Sequence, residues 1–245
     1  MTRGLWITGA ALLAFAVILV VRLPASWVVP APGKAPAGCM SAEGTLWSGS
    51  CSGLIVAGRP LGDLTWQLHP LRLLAGRLAA HVTLAGPALQ GSADAEAGLR
   101  GHLVARNLDA RLPLDPQLLP GLPGGVRGEA QLALPLAEVQ GGILTALQGR
   151  IELHDLVSPD GPTHLGSYVV DFPAATTGDI AGRVRDLDGP LSVDGMLRLT
   201  RQGGFDIQGT VAPRPGAPAE LTANLNFLGR PDAAGRREFS LTGTY

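Results

Sequence analysis

The residues best able to do chemistry are Cys39 and Cys51, the only two cysteines among 245 residues. Gly44, Thr45, Leu46 and Trp47 lie between them, a hairpin-length separation. An even cysteine count at this spacing suits a disulfide in an oxidising compartment; two unrelated buried thiols are the alternative. A metal centre would need more ligands, and no other His or Cys is close enough in sequence to complete a set. Gly49-Ser50-Cys51-Ser52-Gly53 has the spelling of a nucleophile elbow with Cys in place of Ser. An elbow needs a buried strand before it, a helix after it, and a His and an acid held by an α/β sheet. Here strand-like alternation continues on both sides, which argues against catalysis. The histidines His69, His81, His102, His154 and His164 are scattered, with no pair at helical ligand spacing. Asp186-Leu187-Asp188-Gly189-Pro190 matches the opening of a calcium loop but lacks the closing bidentate Glu. Asp and Gly in this order make an ordinary turn. The sequence predicts no catalytic residue, no bound metal and no cofactor.

Composition says what must position these residues. Lys and Arg number 19 against 20 Asp and Glu, a net charge of −1, so no basic face invites nucleic acid. Gly and Pro together supply 54 of the 245 residues. They are the two poorest helix formers and they recur throughout, which excludes a helix-rich fold. A hydrophobic share of 46% still supports a packed core.

The apolar pattern has a period of two, as antiparallel strands with one wet face require. In 126–136, Val126, Gly128, Ala130, Leu132, Leu134 and Leu136 alternate with residues that include Arg127, Glu129 and Gln131. Residues 147–153 set Leu147, Gly149, Ile151 and Leu153 against Gln148, Arg150 and Glu152. Similar alternation marks 193–199, 205–211 and 221–227, the last opposing Leu221, Ala223, Leu225 and Phe227 to Thr222, Asn224 and Asn226. The closing stretch places Phe239, Leu241, Gly243 and Tyr245 opposite Ser240, Thr242 and Thr244. Gly149, Gly182, Gly195, Gly209 and Gly243 each sit two residues from an apolar neighbour on both sides, in phase with the apolar face. Gly there admits another backbone or a bulky ring, or marks a bulge that bends the strand. Helix signals are confined to a turn or two at 69–76, with Pro70 near the start and Gly76 at the stop, and to a single turn at 115–119. The expected fold is all-β, a twisted, mostly antiparallel meander.

From Gly4 to Val21 no residue is charged. As a helix this run is about 27 Å long, enough to span the hydrocarbon core with Arg22 at its end. Trp6 and Trp27 flank it and Pro24 ends it. A cleaved signal peptide is the competing reading, but it would have a shorter apolar core and a small-x-small site soon after, which 23–28 does not offer. The expected organisation is a tail at 1–3, a transmembrane anchor at 4–23, a Pro/Gly/Ala linker at 24–38 and a β domain at 39–245. Arg3 on one flank and Arg22 with Lys34 on the other leave the orientation undecided by charge.

Several stretches, in order along the chain, resemble the type II secretion system protein N family. They are Leu23-Pro-Ala-Ser-Trp-Val28, Glu43-Gly-Thr-Leu-Trp-Ser-Gly49, the segment from Arg59 through Trp66 and Pro70 to Leu78, Leu165-Gly-Ser-Tyr168, Gly189-Pro-Leu-Ser-Val-Asp-Gly195 and Leu228-Gly-Arg-Pro-Asp-Ala-Ala-Gly235. The Gly-Thr-Leu-Trp and Trp-x-Leu-x-Pro segments are also similar to periplasmic β-groove proteins of the AsmA type. The resemblance implies a single-pass protein of the cell inner membrane with its C-terminal domain in the periplasm. It would be an accessory component of the machine that moves folded proteins from the periplasm across the outer membrane. It would work by contact with other type II secretion components, with no enzymatic activity and no catalytic residues. The AsmA likeness implies an alternative, an apolar groove that binds or conveys lipid. Cys39 and Cys51 are not part of the family pattern.

Overall fold

The period-two pattern becomes thirteen strands in the computed structural model, which describes residues 19–244 apart from 20, 28, 32, 34, 74, 88, 116–124, 159–162 and 175–178. They are β1 (Ala37–Gly44), β2 (Ser48–Val56), β3 (Arg59–Leu68), β4 (Leu78–Ala85), β5 (Gln90–Ala97), β6 (His102–Leu114), β7 (Arg127–Gln140), β8 (Ile143–Val157), β9 (His164–Phe172), β10 (Ile180–Asp188), β11 (Leu191–Leu199), β12 (Gly204–Pro213) and β13 (Arg237–Thr244). Sheet order equals sequence order, and among the described residues β13 does not pair back to β1, so the topology is an open antiparallel meander. Most of the run Gly4–Val21 and of the turn expected at 115–119 lies outside the described residues. Among the described residues no helix is long and apolar enough to cross a membrane. The chain divides into two compact units, Met1–Gln90 and Gly91–Tyr245.

In the first unit, β1 to β4 pair in succession. The chain ahead of β1 lies along that strand's outer edge. Pro24 bridges Thr45, Leu46 N–H donates to Leu23 O (2.8 Å) and Cys39 N–H to Pro30 O (3.1 Å). Ala25 is buried at 1% exposure by this contact. Proline has no N–H to offer a further strand, so a Pro-rich segment blunts the edge it covers. The turn expected at 69–76 is present as a helix over Pro70–Leu73, closed where Gly76 N–H donates to Leu73 O (2.9 Å).

In the second unit the longest ladders are β6–β7 and β7–β8. Ala130 and Leu134 of β7 are buried while Arg127, Glu129 and Ala133 face out, as the alternation requires. Gly141 and Gly142 join β7 to β8 with φ of 60° and 85°, the two positive values a type I′ hairpin turn needs. Pro135 sits in β7 where its pairing with β8 shifts between Ala133 and Leu136. Gly149, at φ 126°, faces this bulge, and a Cβ there would lie 2.3 Å from Ala133 O and 2.7 Å from Pro135 Cδ. The core gathers Leu134, Leu147, Phe172 and Ile180, with Leu132, Ile151, Val170 and Leu197 packed against them.

The in-phase glycines do what the sequence suggested, and they do it with specific partners. Gly209 is register partner of Phe239, and Gly243 of Phe205. A Cβ on Gly182 would meet the Phe172 ring at 2.6 Å, and one on Gly243 the Phe205 ring at 2.5 Å. In the first unit Gly49 pairs with Trp66, whose ring would be 2.5 Å from such a Cβ. Rings folded over cross-strand glycines restore the packing surface that the missing side chain removes.

One expected strand is a helix. Residues 221–227 do not alternate across a sheet; Ala219–Leu225 is an α-helix followed by a 3₁₀ turn over Asn226–Leu228. Leu221 and Leu225 are both buried, whereas Phe227 is 91% exposed. A spacing of four satisfies both a period of two and a helical face, so these two leucines could not distinguish them. Pro218 ahead of the first turn and Glu220 within it favour the helix.

Candidate functional site

Cys39 and Cys51 form a disulfide with a Cα–Cα separation of 5.6 Å, and both are buried. They are not register partners: Cys39 faces Leu54, and Cys51 faces Ala42. In a flat ladder a three-residue offset would separate them by about 10 Å, so the hairpin is bent there. The bend coincides with Gly53 at φ 65° and with a shift of the β2–β3 register between Cys51 and Leu54.

The remaining candidate residues are not brought together. Gly49–Gly53 lies inside β2, with strand on both sides and its central sulfur bonded to Cys39. His81, His102, His154 and His164 fall on β4, β6, β8 and β9, and His69 follows β3. Among the described residues no group of three or more His, Cys, Asp or Glu could hold a metal ion.

Asp186 and Asp188 end β10, and their carboxylates are occupied by the chain itself. Asp186 accepts from Val193 N–H (2.7 Å) and pairs with Arg214. Asp188 accepts from Ser167 N–H (3.0 Å). Gly166 and Gly189 bring the two backbones together, since a Cβ on Gly166 would lie 2.4 Å from Asp188 O. Two of the stretches singled out in the sequence, Leu165–Tyr168 and Gly189–Gly195, therefore meet in space. Tyr168 O–H donates to Leu165 O (2.7 Å) beside them, and burial, reinforced by the Asp186 carboxylate, pushes its phenol up to about 12. This knot ties β9, β10 and β11 together.

The polar face of β8 to β11 carries a ladder of opposite charges. Asp171 accepts from Arg150 Nε (2.7 Å) and pairs with Arg185 across β9 and β10. Arg150 also approaches Glu152 (3.5 Å), whose carboxylate is 3.1 Å from His154. Arg183 holds Asp194 through two hydrogen bonds, of 3.2 and 3.0 Å. The hydrogen bond from Arg150, then that from Arg185, holds the Asp171 carboxyl below the usual carboxylate range; the Arg183 hydrogen bond does the same for Asp194. Because the charges compensate one another, this face pins strand register and offers no single-sign field to a ligand. Alternation in the sequence shows Arg150 on the wet face but not its partner, which lies 21 residues away.

Among the described residues β13 pairs with β12 alone, so its other edge carries unpaired backbone groups. Leu241 on this strand is 48% exposed. An edge of this kind accepts an added strand, with affinity from main-chain hydrogen bonds and selectivity from alternate side chains. It is the described feature best suited to binding another protein.

Residues 35–240 match the family model described as type II secretion system (T2SS), protein N. The chain is similar to the type II secretion system protein N of Vibrio cholerae serotype O1, with 29% identity over 92% of each chain. It is also 29% identical to that of Aeromonas hydrophila over 96% of each, and 30% identical to that of Klebsiella pneumoniae over 79% of this chain and 78% of the relative. No solved structure matches.

Proposed function

This chain belongs to the type II secretion system protein N family, and we propose that it serves there as an accessory inner-membrane component that works by protein contact. Its place in type II secretion follows from the family; the inner-membrane address, the anchor at 4–23, the periplasmic β domain and the absence of catalysis belong to this proposal. The apolar run Gly4–Val21 supports the anchor, and a disulfide between Cys39 and Cys51 suits an oxidising periplasm. The single observation behind the contact role is the open edge of β13, on a sheet whose first edge is blunted where Pro24 and Pro30 lie against it. Anchoring confines the domain near the membrane, where weak contacts suffice at high effective concentration. A photo-reactive residue placed at Ser240 or Thr242 in cells should cross-link to other type II secretion components. Cross-links to lipid alone would turn the reading to its alternative.

That alternative is lipid binding in an apolar recess. A cavity of about 310 Å³ in the first unit is walled by Val29, Pro30, Leu54, Leu64, Trp66 and Val82 beside the disulfide. Its size stands at the low end for a ligand site. Native mass spectrometry of the detergent-purified protein, showing stoichiometric co-purified lipid, would favour it.

A further inference from the structure

We infer that one end of the first unit rests on a lipid bilayer through the β3–β4 turn, a reading that depends on the proposed span at 4–23. The turn exposes Leu71 (79%) and Leu73 (42%), and Leu78 at the head of β4 is 45% exposed. These aliphatic side chains project from a polar hairpin end where ordinary turn chemistry would place Gly, Asn, Asp or Ser. Backbone hydrogen bonds tie this turn to the end of the apolar N-terminal run. Leu46 N–H donates to Leu23 O (2.8 Å), and Leu68 N–H donates to the adjacent Trp47 O (2.6 Å). His69 N–H donates to Ala79 O (2.8 Å), closing the turn just above. Trp27, 80% exposed, lies one 3₁₀ turn beyond Pro24, its N–H bonded to Pro24 O (3.2 Å).

The strands alternate in direction, so the β1–β2 and β3–β4 turns share one end while the β2–β3 turn at Ala57-Gly58 occupies the other. Of the exposed large apolar residues described in this unit, Leu71, Leu73 and Leu78 belong to the turn at the first end, Leu19 and Val21 precede the Leu23 that bonds Leu46 there, Trp27 follows it, and Met40 stands apart on β1. A bilayer entered by residues 4–21 is delivered to Leu23, within two hydrogen-bonded steps of the leucine turn. The chemistry of the turn fits that surface. Leucines exposed on such a turn reach the acyl side of the bilayer boundary, and an indole favours the headgroup depth beside it. The seat would fix the tilt of the first unit against the membrane, which a single helical tether leaves free.

The test uses the full chain in phospholipid nanodiscs, with its disulfide intact and a nitroxide on one added cysteine. Leu71→Cys probes the seat, Arg59→Cys the opposite end and Leu13→Cys the span. Electron paramagnetic resonance then compares collisions with oxygen, which concentrates in lipid, and with a water-soluble nickel chelate. The label at 71 should show a several-fold higher oxygen-to-nickel ratio than the label at 59. A ratio at 71 equal to that at 59, with 13 in lipid, overturns the seat and leaves the span standing. A label at 71 shielded from both reagents also overturns it, in favour of a protein partner. A label at 13 in water overturns the span, and with it the bilayer as the neighbour of this turn.

Discussion

Gly209→Val is the sharpest probe of how the second unit is packed. At Gly209 an added Cβ would lie 2.5 Å from Asp194 O and 2.7 Å from Gly195 Cα, with Phe239 Cε1 at 3.1 Å. The two closest atoms are backbone, so no side-chain rotation relieves the clash. The β11 and β12 backbones must separate where Gly195 and Gly209 face each other. Overpacking of this kind costs about 1–3 kcal/mol, partly offset by the roughly 0.5–1 kcal/mol that a strand gains when Gly is replaced. A net loss of about 1–2 kcal/mol lowers Tm by roughly 2–8 °C in a unit of this size. Differential scanning calorimetry of the purified chain reads it directly. Gly98→Ala is the control, since a Cβ there would touch nothing closer than 3.6 Å. The Gly209→Val effect should persist in a Phe239→Ala background, because the ring is not the main obstacle. For Gly243→Ala, where the Phe205 ring stands at 2.5 Å, removing the ring should relieve most of it. An unchanged Tm for Gly209→Val would refute the close backbone approach.

Leu225→Ala should destabilise by about 2–4 kcal/mol while Phe227→Ala leaves the denaturation midpoint unmoved, since a helix buries the first and exposes the second; comparable losses would restore the strand reading. Reducing the Cys39–Cys51 disulfide, which closes a loop of about 13 residues, should lower stability by roughly 3 kcal/mol on the chain-entropy model. Equal urea midpoints for oxidised and reduced protein would contradict that figure. Asp171 and Asp194 titrate lower in the folded chain than in the unfolded one. Their contribution is complete above the unfolded carboxylate value of about 3.9 and is lost as pH falls through the folded value. The double variant Asp171→Asn, Asp194→Asn should therefore show a shallower loss of stability between pH 5 and about 2, and a parallel curve would count against the ion-pair ladder.

Much of the meander is legible because one wet face forces alternation. Val126–Leu136 and Leu147–Leu153 announce β7 and β8 without help from tertiary structure. β5 does not announce itself, since Gln90–Ala97 contains no large apolar residue, so its assignment depends on neighbours. Residues 221–227 carry an ambiguous signal, because Leu221 and Leu225 fit either period. The ladder around Asp171 and the knot of Asp186, Asp188 and Ser167 were hidden for a different reason. Apart from Val193, their partners are 14 to 28 residues apart in sequence, and only the pairing of strands brings them together. The open edge of β13 is likewise a property of sheet order, visible only once every other strand has found its neighbour.

The proposed role in secretion through protein contact has a direct test. The direct measurement is the fraction of a type II substrate enzyme released to the medium by cells that lack the gene, compared with cells complemented by the full chain. Deletion should lower release, folded and active enzyme should accumulate in the periplasm, and complementation should restore export. Unchanged release, accompanied by altered detergent sensitivity or outer-membrane lipid composition, would contradict that role.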